Sequence, residues 1–548
     1  MHSDNSSLRH SSSRLTRRRF VKLAALGATG LALDLSLGCN TQATEVTGSQ
    51  SSKTALAQGA QSSPTAIQPV RGGTLTWLVA YDIIPAAVPY VVTGQIYSLL
   101  GTVYETLLHY RTDRLDARPE LAESWSFSPD NLTLTIKLRT GVKFHTGREF
   151  TSADVKWNLQ TASDPKLAAS GLNMIKWIQK IETPDARTVV LTFDQPRSNV
   201  LDMFEYLYMA DPETFMDGIN GKRFVGTGPF LYKEWVPGDH LTVTRNPDYW
   251  RADQPYLDEV TFKVIPEPQT QLLQLQSGGA DMASNIDPRD AKDLEKGNKY
   301  TVFRAEGNAY DWYLGIDVSK APFNDKRVRQ AMSLLLDRKR MVDTELIYGQ
   351  PLTLPWDKTS PAYIAEQASR ESYNPTKAKD LLAQAGLASG ATVSIQVSQG
   401  VAHSPAMAEI LQAELAKLGW KASVDKIPSA EFTDKNAKGT YGGLWIAQVA
   451  YVHLSPASLF VMAKPFRLPN SANFESPAYA KLIDDLSKPA DEATMKKLYQ
   501  QMNDLLLDEC FVNPIATTES PWVGTSKVKG AQATRGQWAL VGYLWKSK

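Results

Sequence analysis

The later half of the chain alternates helical and extended sequence patterns, and this alternation limits the fold more than any other feature. Asn374-Pro375 places a capping side chain before a proline, which is typical of a helix start, and Gly386 is placed to end that helix. Residues 393–397 alternate apolar and polar side chains, as a half-buried strand does. Ser404-Pro405 repeats the helix start, and residues 422–424 are again strand-like. This succession indicates an α/β unit with a parallel sheet.

Strand-like segments also occur in the first half, so helical and extended patterns are mixed throughout the chain. These segments are residues 74–79, 132–138, 188–193, 241–244 and 260–264. The chain of 548 residues is longer than a single hydrophobic core usually serves, and we therefore expect at least two domains.

The first forty residues have the layout of an export signal. A twin-arginine pattern in residues 16–22 precedes an apolar stretch, residues 23–37, which is shorter than the roughly 20 residues needed to span a bilayer. Asp34 within this stretch also counts against a retained membrane anchor. Residues 1–38 are therefore predicted to be a twin-arginine signal peptide, which a receptor reads and which directs the chain to the periplasm or the extracytoplasmic membrane surface.

Cys39 follows the apolar stretch and is predicted to carry the lipid of a lipoprotein. Residues 39–70 are predicted to form a flexible tether, because Ser, Thr, Gln, Ala and Gly dominate this segment. The order Ser36-Leu37 is the reverse of the usual lipoprotein pattern, so a free periplasmic protein is the alternative. The lipid would be the protein's one contact with a membrane.

Charge and cysteine usage exclude several classes of protein. The formal net charge of the whole chain is +1, and removal of the basic leader leaves no basic block for nucleic acid. With Cys39 committed to lipid, Cys510 has no cysteine left to pair with. Apolar residues surround Cys510 in the sequence, which predicts a buried thiol rather than a catalytic one.

Several motifs occur in a fixed order along the chain and carry a family resemblance. They are PELAESW (119–125), SPDN (128–131), LRTGVKFHTG (138–147), FTSADV (150–155), GTGPF (226–230), RNPDYW (245–250) and PFNDKRVRQA (322–331). Together with the helix from Asn374, they resemble the extracytoplasmic solute-binding proteins of family 5, the oligopeptide, dipeptide and nickel class that serves ABC importers. The resemblance covers residues 71–520.

This resemblance implies a two-lobed α/β fold of the periplasmic-binding-protein type (type II, cluster C-like) with an extra subdomain inserted in lobe one. Lobe one would comprise residues 71–110, 226–305 and 511–548, the inserted subdomain residues 111–225, and lobe two residues 306–510. Such a protein captures a solute in the cleft between its lobes by hinge closure and delivers it to a permease and ATPase complex. It is expected to act as a monomer, with no cofactor and no catalytic residue.

The ligand-binding residues are expected to come from both lobes, near the places where the chain crosses between them. Aromatic side chains there offer a large contact area at low entropic cost. The residues predicted to contact the ligand are Tyr81, Asp82, Tyr310, Trp312, Trp445, Gln448 and Tyr451. Ordinary core packing is the alternative for each of these side chains.

Gln448 is a departure from the family pattern and bears on the kind of ligand. In the peptide-binding relatives, a tryptophan is followed three residues later by an aspartate, which pairs with the α-amino group of the peptide. Here Trp445 is followed by Gln448, which cannot neutralise a buried ammonium. The ligand is then either a peptide whose amine meets another carboxylate, such as Asp82 or Asp311, or a solute without an ammonium, such as an oligosaccharide or an aromatic acid.

Catalytic and metal motifs are absent from the sequence. It contains no His-Glu-x-x-His, Cys-x-x-Cys or Gly-x-Ser-x-Gly. GTGPF at residues 226–230 lacks the third glycine of a dinucleotide fingerprint, and His145 is interpreted as a structural hydrogen bonder in a turn. A nickel site is disfavoured because no two histidines are placed together. The alternative function is that of an exported hydrolase that cuts a polymer with two cleft carboxylates.

Overall fold

Five β-sheets organise the part of the chain that the computed structural model describes, which is residues 68–548 apart from 86–87, 91–95, 168, 170–171, 305–309, 371–372 and 520. The predicted signal peptide, Cys39 and nearly all of the predicted tether lie outside the described residues.

The strands are β1 (Thr74–Val79), β2 (Leu108–Tyr110), β3 (Ala117–Pro119), β4 (Ala122–Phe127), β5 (Thr133–Leu138), β6 (Ile178–Asp185), β7 (Thr188–Phe193), β8 (Phe230–Val236), β9 (His240–Arg245), β10 (Glu259–Val264), β11 (Met282–Ala283), β12 (Tyr300–Phe303), β13 (Tyr310–Ile316), β14 (Thr392–Ser398), β15 (Lys421–Ile427), β16 (Leu444–Ala450), β17 (Val512–Thr518), β18 (Trp522–Thr525), β19 (Val528–Lys529) and β20 (Trp545–Lys546).

The α-helices are α1 (Ile96–Leu100), α2 (Ser152–Ala162), α3 (Leu172–Ile175), α4 (Met203–Tyr206), α5 (Phe215–Ile219), α6 (Pro268–Ser277), α7 (Pro288–Leu294), α8 (Lys326–Leu334), α9 (Arg338–Met341), α10 (Ala365–Ala368), α11 (Pro375–Gln384), α12 (Ser404–Lys417), α13 (Ser429–Lys438), α14 (Pro456–Met462), α15 (Pro477–Leu486) and α16 (Glu492–Glu509). Short 3₁₀ turns lie at Pro165–Leu167, Val200–Asp202 and Val541–Tyr543, and a π-helical turn lies at Val342–Leu346.

The first lobe is built on a seven-stranded sheet with the order β12-β18-β11-β1-β10-β9-β8. Its middle strand β1 is covered on both faces, which explains the nearly continuous apolar run in its sequence. Trp77 on one face packs against Phe262 and Trp522, each with a ring-centroid distance of 5.7 Å. Leu78 on the other face belongs to a smaller core with helices α6 and α7.

A four-stranded antiparallel sheet with the order β4-β5-β7-β6 lies within the segment 111–225 that the resemblance assigns to an inserted subdomain. In β5 the apolar side chains of Leu134, Ile136 and Leu138 are buried, and the residues between them are not. Helix α2 packs on this sheet and begins with a capping interaction, in which the Thr151 backbone N–H donates to Asp154 Oδ2 at 2.8 Å.

The second lobe is built on a five-stranded sheet with the order β15-β14-β16-β13-β17. Strand β14 runs parallel to both β15 and β16, so the parallel pairing predicted from the helix and strand alternation is confirmed. Helix α11 begins with Asn374 Oδ1 accepting from the Lys377 N–H at 3.0 Å and is followed by Gly386 at φ 78°. This helix therefore starts and ends as its sequence predicts.

The predicted capping role of Ser404 is wrong. Helix α12 has His403 at its N-cap position, with φ 66°, and Ser404 is already the first helical residue. The Ser404 hydroxyl donates instead to the Val401 carbonyl oxygen at 3.0 Å, so it holds the preceding turn rather than the helix end. Sequence alone could not separate these two arrangements, because Ser-Pro fits a helix start in either register.

The chain connects the two large sheets between β12 and β13 and again between β17 and β18, and the strands at the ends of these connections are neighbours. On the first-lobe side, β12 and β18 are antiparallel neighbours that pair Phe303 with Trp522. On the second-lobe side, β13 and β17 are antiparallel neighbours that pair Tyr310 with Thr518. Strand β17 lies in the segment 511–548 assigned from the sequence to lobe one, and its pairing places it in the second sheet instead.

Candidate functional site

The two lobes contact each other along a seam, which we define as the contact between residues 198–206 of the first lobe and the segment after β16 in the second. The Tyr206 hydroxyl oxygen lies 2.7 Å from His453 Nε2. Asp202 Oδ2 accepts from the Ser455 N–H and from the Ser458 hydroxyl, each at 3.4 Å. These polar contacts are buried, so the lobes stand in a closed arrangement.

Arg535, in the C-terminal segment, also lies at the seam and is fully buried. Its Nε donates to the His453 carbonyl oxygen at 2.6 Å, and its Nη2 lies 3.8 Å from Asp357 Oδ1. Burial lowers the pKa of this guanidinium, while the carboxylates of Asp357, Asp113, Asp202 and Glu205 oppose that change. Arg535 therefore joins the C-terminal segment to the seam through buried polar contacts.

A cavity of about 640 Å³, part of it open to solvent, lies in the first lobe beside the seam. We name it the acidic cavity because three glutamates line it, Glu105, Glu120 and Glu205. Its other polar and aromatic lining residues are Tyr97, Tyr104, Thr106, His109, Tyr208, Tyr249, Arg251, Gln254, Thr534, Trp538 and Tyr543. The lining therefore joins the first lobe, the inserted segment and the C-terminal segment.

Two of the three glutamates are saturated by neighbouring side chains. Glu105 accepts hydrogen bonds from the Tyr249 hydroxyl at 2.7 Å, from Trp250 Nε1 at 3.0 Å and from the Thr227 hydroxyl at 2.8 Å. Burial nevertheless raises its pKa to about 7, and the nearby charge of Glu120 adds to the rise. Glu105 thus titrates near neutral pH.

Glu120 has the opposite electrostatic balance. It forms ion pairs with Arg251 and with His109 Nδ1, the latter at 2.6 Å. Burial opposes ionisation, but hydrogen bonds and charges from His109 and Arg251 outweigh it and lower the pKa of Glu120 to about 2. Glu120 is therefore an ionised carboxylate that is already neutralised within the protein.

Glu205 is the third glutamate of the acidic cavity and is buried, with 2% of its surface exposed. Its Oε2 accepts from the Tyr110 N–H at 2.8 Å, and its Oε1 has no hydrogen-bond partner among the described residues. Burial raises its pKa well above the ordinary value; the Tyr110 hydrogen bond opposes this, and the charge of Asp202 adds to it. Glu205 is thus a desolvated carboxyl group whose Oε1 is buried without a hydrogen bond from the described residues.

Aromatic rings connect the acidic cavity to the seam. Tyr97 stacks on Trp538 with a ring-centroid distance of 3.8 Å, and Tyr206 meets the edge of Trp538 at 5.1 Å. The Tyr97 hydroxyl has no hydrogen-bond partner among the described residues. Tyr206 therefore belongs to both features, since it packs against the cavity lining and touches His453 across the seam.

A second cavity, of about 510 Å³, lies in the second lobe and is lined by Gln448, Tyr313, Phe432 and several small polar side chains. Gln448 Nε2 donates to the Thr518 hydroxyl at 3.2 Å. This places Gln448 beside Thr518, the last residue of β17.

The other aromatic residues predicted to contact the ligand have different surroundings. Trp445 is fully buried, stacks on Tyr441 at 4.1 Å and donates from Nε1 to the Tyr313 hydroxyl at 3.2 Å. Trp312 lies in the apolar core of the second lobe. Both rings have the surroundings of core residues, which was the alternative for each.

Tyr310 and Tyr451 lie close to the seam. Tyr310 is paired with Ala450 and Thr518 and interacts electrostatically with the Tyr97 and Tyr206 hydroxyls. Tyr451 is buried at φ 82°, and its ring centroid is 6.4 Å from that of Tyr206. The structure thus brings these two predicted residues to the contact between the lobes.

Tyr81 and Asp82 lie away from the seam. Tyr81 is 63% exposed, and the Asp82 carboxylate accepts from Trp235 Nε1 at 2.8 Å and from the Gly238 N–H at 2.7 Å. Asp82 therefore stabilises the turn between β8 and β9, which leaves it poorly placed to meet a ligand amine. Asp311, the other carboxylate suggested for that role, is fully buried in β13.

Sequence reasoning missed Tyr97, Glu205, Tyr206, Arg535 and Trp538. A usable signal was the segment Phe204-Glu205-Tyr206-Leu207-Tyr208. A glutamate among aromatic and apolar residues is unusual, because glutamate is rarely buried without a partner, and it indicates a candidate functional site. No local pattern could bring the C-terminal residues 535 and 538 to the same place.

Among the described residues, no group of three or more His, Cys, Asp or Glu side chains is arranged to hold a metal ion. No helix in the described part of the chain is both long enough and apolar enough to cross a membrane.

Comparisons with known proteins agree with this architecture. The model of the bacterial extracellular solute-binding proteins, family 5 (middle region), matches residues 116–465. Glutathione-binding protein GsiB of Escherichia coli (strain K12) is 30% identical over 425 residues, which cover 74% of this chain and 79% of that protein.

Solved structures share the fold over most of the chain. The binding protein AgaA from A. tumefaciens R10, in complex with agropinic acid, has a TM-score of 0.72 and 27% identity, and the match covers 87% of this chain and 99% of that chain. The periplasmic binding protein DppA from Helicobacter pylori, in complex with the peptide STSA, has a TM-score of 0.70 and 23% identity, with the same coverage of 87% and 99%.

These relatives are binding proteins, and proteins of this family deliver their solutes to ABC permease and ATPase complexes. The two-lobed α/β fold expected from the sequence is confirmed by the structural matches. The chain belongs to the bacterial extracellular solute-binding proteins of family 5 and is the substrate-binding component of an ABC importer.

Proposed function

We propose that this protein captures a small organic solute between its two lobes and releases it to the permease after the lobes open. The observation that carries the proposal is the buried seam beside the acidic cavity, because a closed interface next to a polar, aromatic cavity is the arrangement a hinged binder needs. Tyr310, Gln448 and Tyr451 are the predicted residues best placed to contact the solute from the second lobe. The rest of the contact surface is proposed to come from Tyr97, Tyr206 and Trp538.

The lobe limits are part of this proposal. Lobe one comprises residues 71–110, 226–305 and the C-terminal segment after Thr518, the inserted subdomain residues 111–225, and lobe two residues 306–518. The monomer is the proposed working unit, because each chain supplies both halves of its own cleft.

Small-angle X-ray scattering tests hinge closure. The radius of gyration should fall when a solute that binds tightly by isothermal titration calorimetry is added to ligand-free protein. A tight binder that leaves the radius unchanged would show that the lobes do not close on it.

The solute is proposed to be of the size of a short peptide. Relatives of this protein are a glutathione-binding protein and proteins solved with agropinic acid or a peptide. Both an amine-bearing peptide and a neutral or anionic organic solute are compatible with that range of ligands. Mass spectrometry of small molecules released by denaturing the freshly purified protein identifies the class directly.

We also propose that the protein does no chemistry on its solute. The alternative function is that of an exported hydrolase, which would use two carboxylates. The observation that favours this alternative is the three glutamates that line the acidic cavity. The two functions differ in stoichiometry, because a binder saturates at one solute per chain and leaves it unchanged. Appearance of a cleaved product in proportion to time would favour the hydrolase.

Export by the twin-arginine route and lipidation of Cys39 complete the proposal. The support is the sequence alone, since these residues lie outside the described part of the chain. Growth with a labelled fatty acid should label the wild-type protein and not the Cys39→Ser variant. Replacement of Arg17 and Arg18 by lysine should leave the precursor in the cytoplasm.

A further inference from the structure

Residues 346–348 bridge the hydrophobic cores of the two lobes, although they belong to neither of the two connections between the lobes. Leu346 is buried in the core of the second lobe, to which side chains of β13 and β17 also belong. Tyr348, two residues later, is 3% exposed and belongs to the smaller core of the first lobe, with Leu78 of β1 and Val523 of β18. A short segment of the second lobe is therefore anchored in the first.

The Tyr348 ring lies beside both connections between the lobes. Arg304, the first residue after β12, has its Cζ 5.2 Å from the ring centre. Glu519, the first residue after β17, interacts electrostatically with the Tyr348 hydroxyl. Lys292 Nζ, from α7 of the first lobe, lies 5.4 Å from the same ring centre. Because aromatic faces attract cations, the ring is held in the first lobe by charge as well as by burial.

The backbone on either side of Tyr348 is fixed by hydrogen bonds. Before the ring, Arg289 of α7 donates from Nη2 to the Thr344 carbonyl oxygen at 3.2 Å, which adds a bond between the lobes. After the ring, the Gln350 N–H donates to the Thr517 hydroxyl at 2.8 Å, and the Thr517 N–H donates back to the Gln350 carbonyl oxygen at 2.9 Å. The segment thus stays attached to β17 of the second sheet while its ring lies in the first lobe.

Ile347 lies between the two anchored side chains and has an unusual backbone conformation. Its φ is 60°, a value at which a β-branched residue is strained because its side chain crowds the backbone. Such strain persists only where the surrounding structure holds it. Here Leu346 is held in one core and Tyr348 in the other. The fold therefore keeps Tyr348 in the first lobe at a cost in free energy, which indicates that this contact has a role.

Contacts near a hinge move little when two lobes rotate, because displacement grows with distance from the axis. The packing of Tyr348, beside both connections, can therefore survive an opening that separates the seam. We propose that Tyr348 is a positioning residue that keeps the second lobe seated on the first at the hinge, in the open and the closed protein alike, and so guides their rotation. Tyr348 lines neither of the two cavities described above, so it acts without touching the solute. This inference rests on the proposed hinge closure and goes beyond it.

The test measures distances between the lobes in ligand-free protein. The parent is the mature chain with Cys39→Ser, freed of bound solute by partial unfolding and refolding. It carries spin labels at Leu273→Cys in α6 and Lys379→Cys in α11, which are exposed positions, while Cys510 is buried. Double electron–electron resonance gives the distribution of distances between the labels. We expect a narrow distribution for the parent and one about twice as wide for Tyr348→Leu, which loses the ring but stays apolar.

Two further variants separate the anchoring role from stability. Tyr348→Phe keeps the ring and should keep the distribution of the parent. Tyr479→Leu is the matched control, because Tyr479 is a buried ring that packs against Phe460 and Phe474 within the second lobe. It should lower the melting temperature without widening the distribution. Circular dichroism establishes that each variant folds.

A milder change tests the same contact without altering a core. Arg289→Met combined with Lys292→Met removes the bond to Thr344 and one of the cations over the Tyr348 ring, and the two side chains are 56% and 55% exposed. The distribution of this double variant should have an intermediate width. It decides the question if Tyr348→Leu does not fold.

The outcomes separate the inference from the proposed function. An unchanged width in folded Tyr348→Leu overturns the inference and leaves hinge closure intact, and so does a parent distribution that is already as wide as that of the variant. If Tyr348→Leu does not fold, an unchanged width in the double variant overturns it. If a tight binder leaves the radius of gyration of the wild type unchanged, hinge closure fails, whereas a wider distribution in Tyr348→Leu would still show that Tyr348 seats one lobe on the other.

Discussion

At the scale of single residues, the environment decides whether an aromatic side chain serves the core or the ligand. Trp445 stands three residues before Gln448 on β16, yet the two side chains lie on opposite faces of the strand. The Trp445 ring covers the backbone of β13 at Gly315, where a Cβ atom would fall 2.2 Å from ring atoms. The absence of a side chain at Gly315 therefore allows the Trp445 indole to pack against the neighbouring strand.

Replacement of Gly315 by alanine should destabilise the protein by about 3 kcal/mol, because the new methyl group would overlap a rigid ring. Urea unfolding followed by circular dichroism measures the change. Gly297→Ala is the control, since no atom lies within 4 Å of the Cβ that it would add. Similar stabilities for the two variants would contradict the packing argument.

Glu205→Gln should also change how stability depends on pH. The ordinary pKa is 4.5, and burial raises that of the folded state well above it. As pH rises through 4.5, the unfolded chain loses its proton while the folded protein keeps it, so the wild type loses stability. The loss amounts to about 1.4 kcal/mol for each unit by which the pKa is raised.

The ligand-free Glu205→Gln variant should therefore melt at a higher temperature than the wild type at pH 8, and the difference should shrink at pH 4. Differential scanning fluorimetry across this range checks the sign. Asp202, Glu120 and Arg535 interact electrostatically with the same carboxyl group and remain in the variant. A variant less stable than the wild type at pH 8 would mean that the carboxylate is stabilising.

At the scale of elements, the sequence predicts the helices and strands more accurately than it predicts the residues of the site. Predicted strands such as residues 74–79 and 393–397 occur as β1 and within β14, because alternation of apolar side chains directly reflects burial. The site depends instead on contacts between distant segments. The contacts of Trp538 with Tyr97 and of Arg535 with His453 join segments that are far apart in the sequence, and no local pattern encodes either contact.

Helix α11 allows a test of whether a capping residue predicted from the sequence contributes to stability. Asn374→Ala removes the side chain that accepts from the Lys377 N–H and should cost about 1 kcal/mol of stability. Thr376→Ala is the matched control, because Thr376 is exposed in the first turn of the same helix and alanine is a good helix former. Chemical denaturation of both variants should show a loss for the first alone.

At the scale of the whole molecule, closure places polar groups from both lobes in a buried interface. Such groups gain only small net free energies from each hydrogen bond, so the closed and open arrangements can differ by a few kcal/mol. A solute that contacts both lobes can then shift the equilibrium between them. The contact of Tyr206 with His453 is one of the terms in that balance.

Tyr206→Phe should weaken solute binding by about fivefold, since loss of about 1 kcal/mol from the closed state lowers its population. Calorimetry with the solute recovered from the purified protein measures the change, and scattering should show a larger radius of gyration at equal solute concentration. Tyr479→Phe is the control, because its hydroxyl donates to the Phe466 carbonyl within the second lobe. That variant should lose stability but keep its affinity.

The paired crossings carry a mechanical consequence. Strands β12 and β18 are antiparallel neighbours in the first lobe, and β13 and β17 are antiparallel neighbours in the second, so the ends of both connections lie side by side in each lobe. Each pair is held by hydrogen bonds within its own sheet, so a rotation of one lobe against the other breaks no strand pairing. We therefore expect both sheets to stay intact when the lobes open and shut, so that a solute that touches both lobes changes the angle between two bodies and not the bodies themselves.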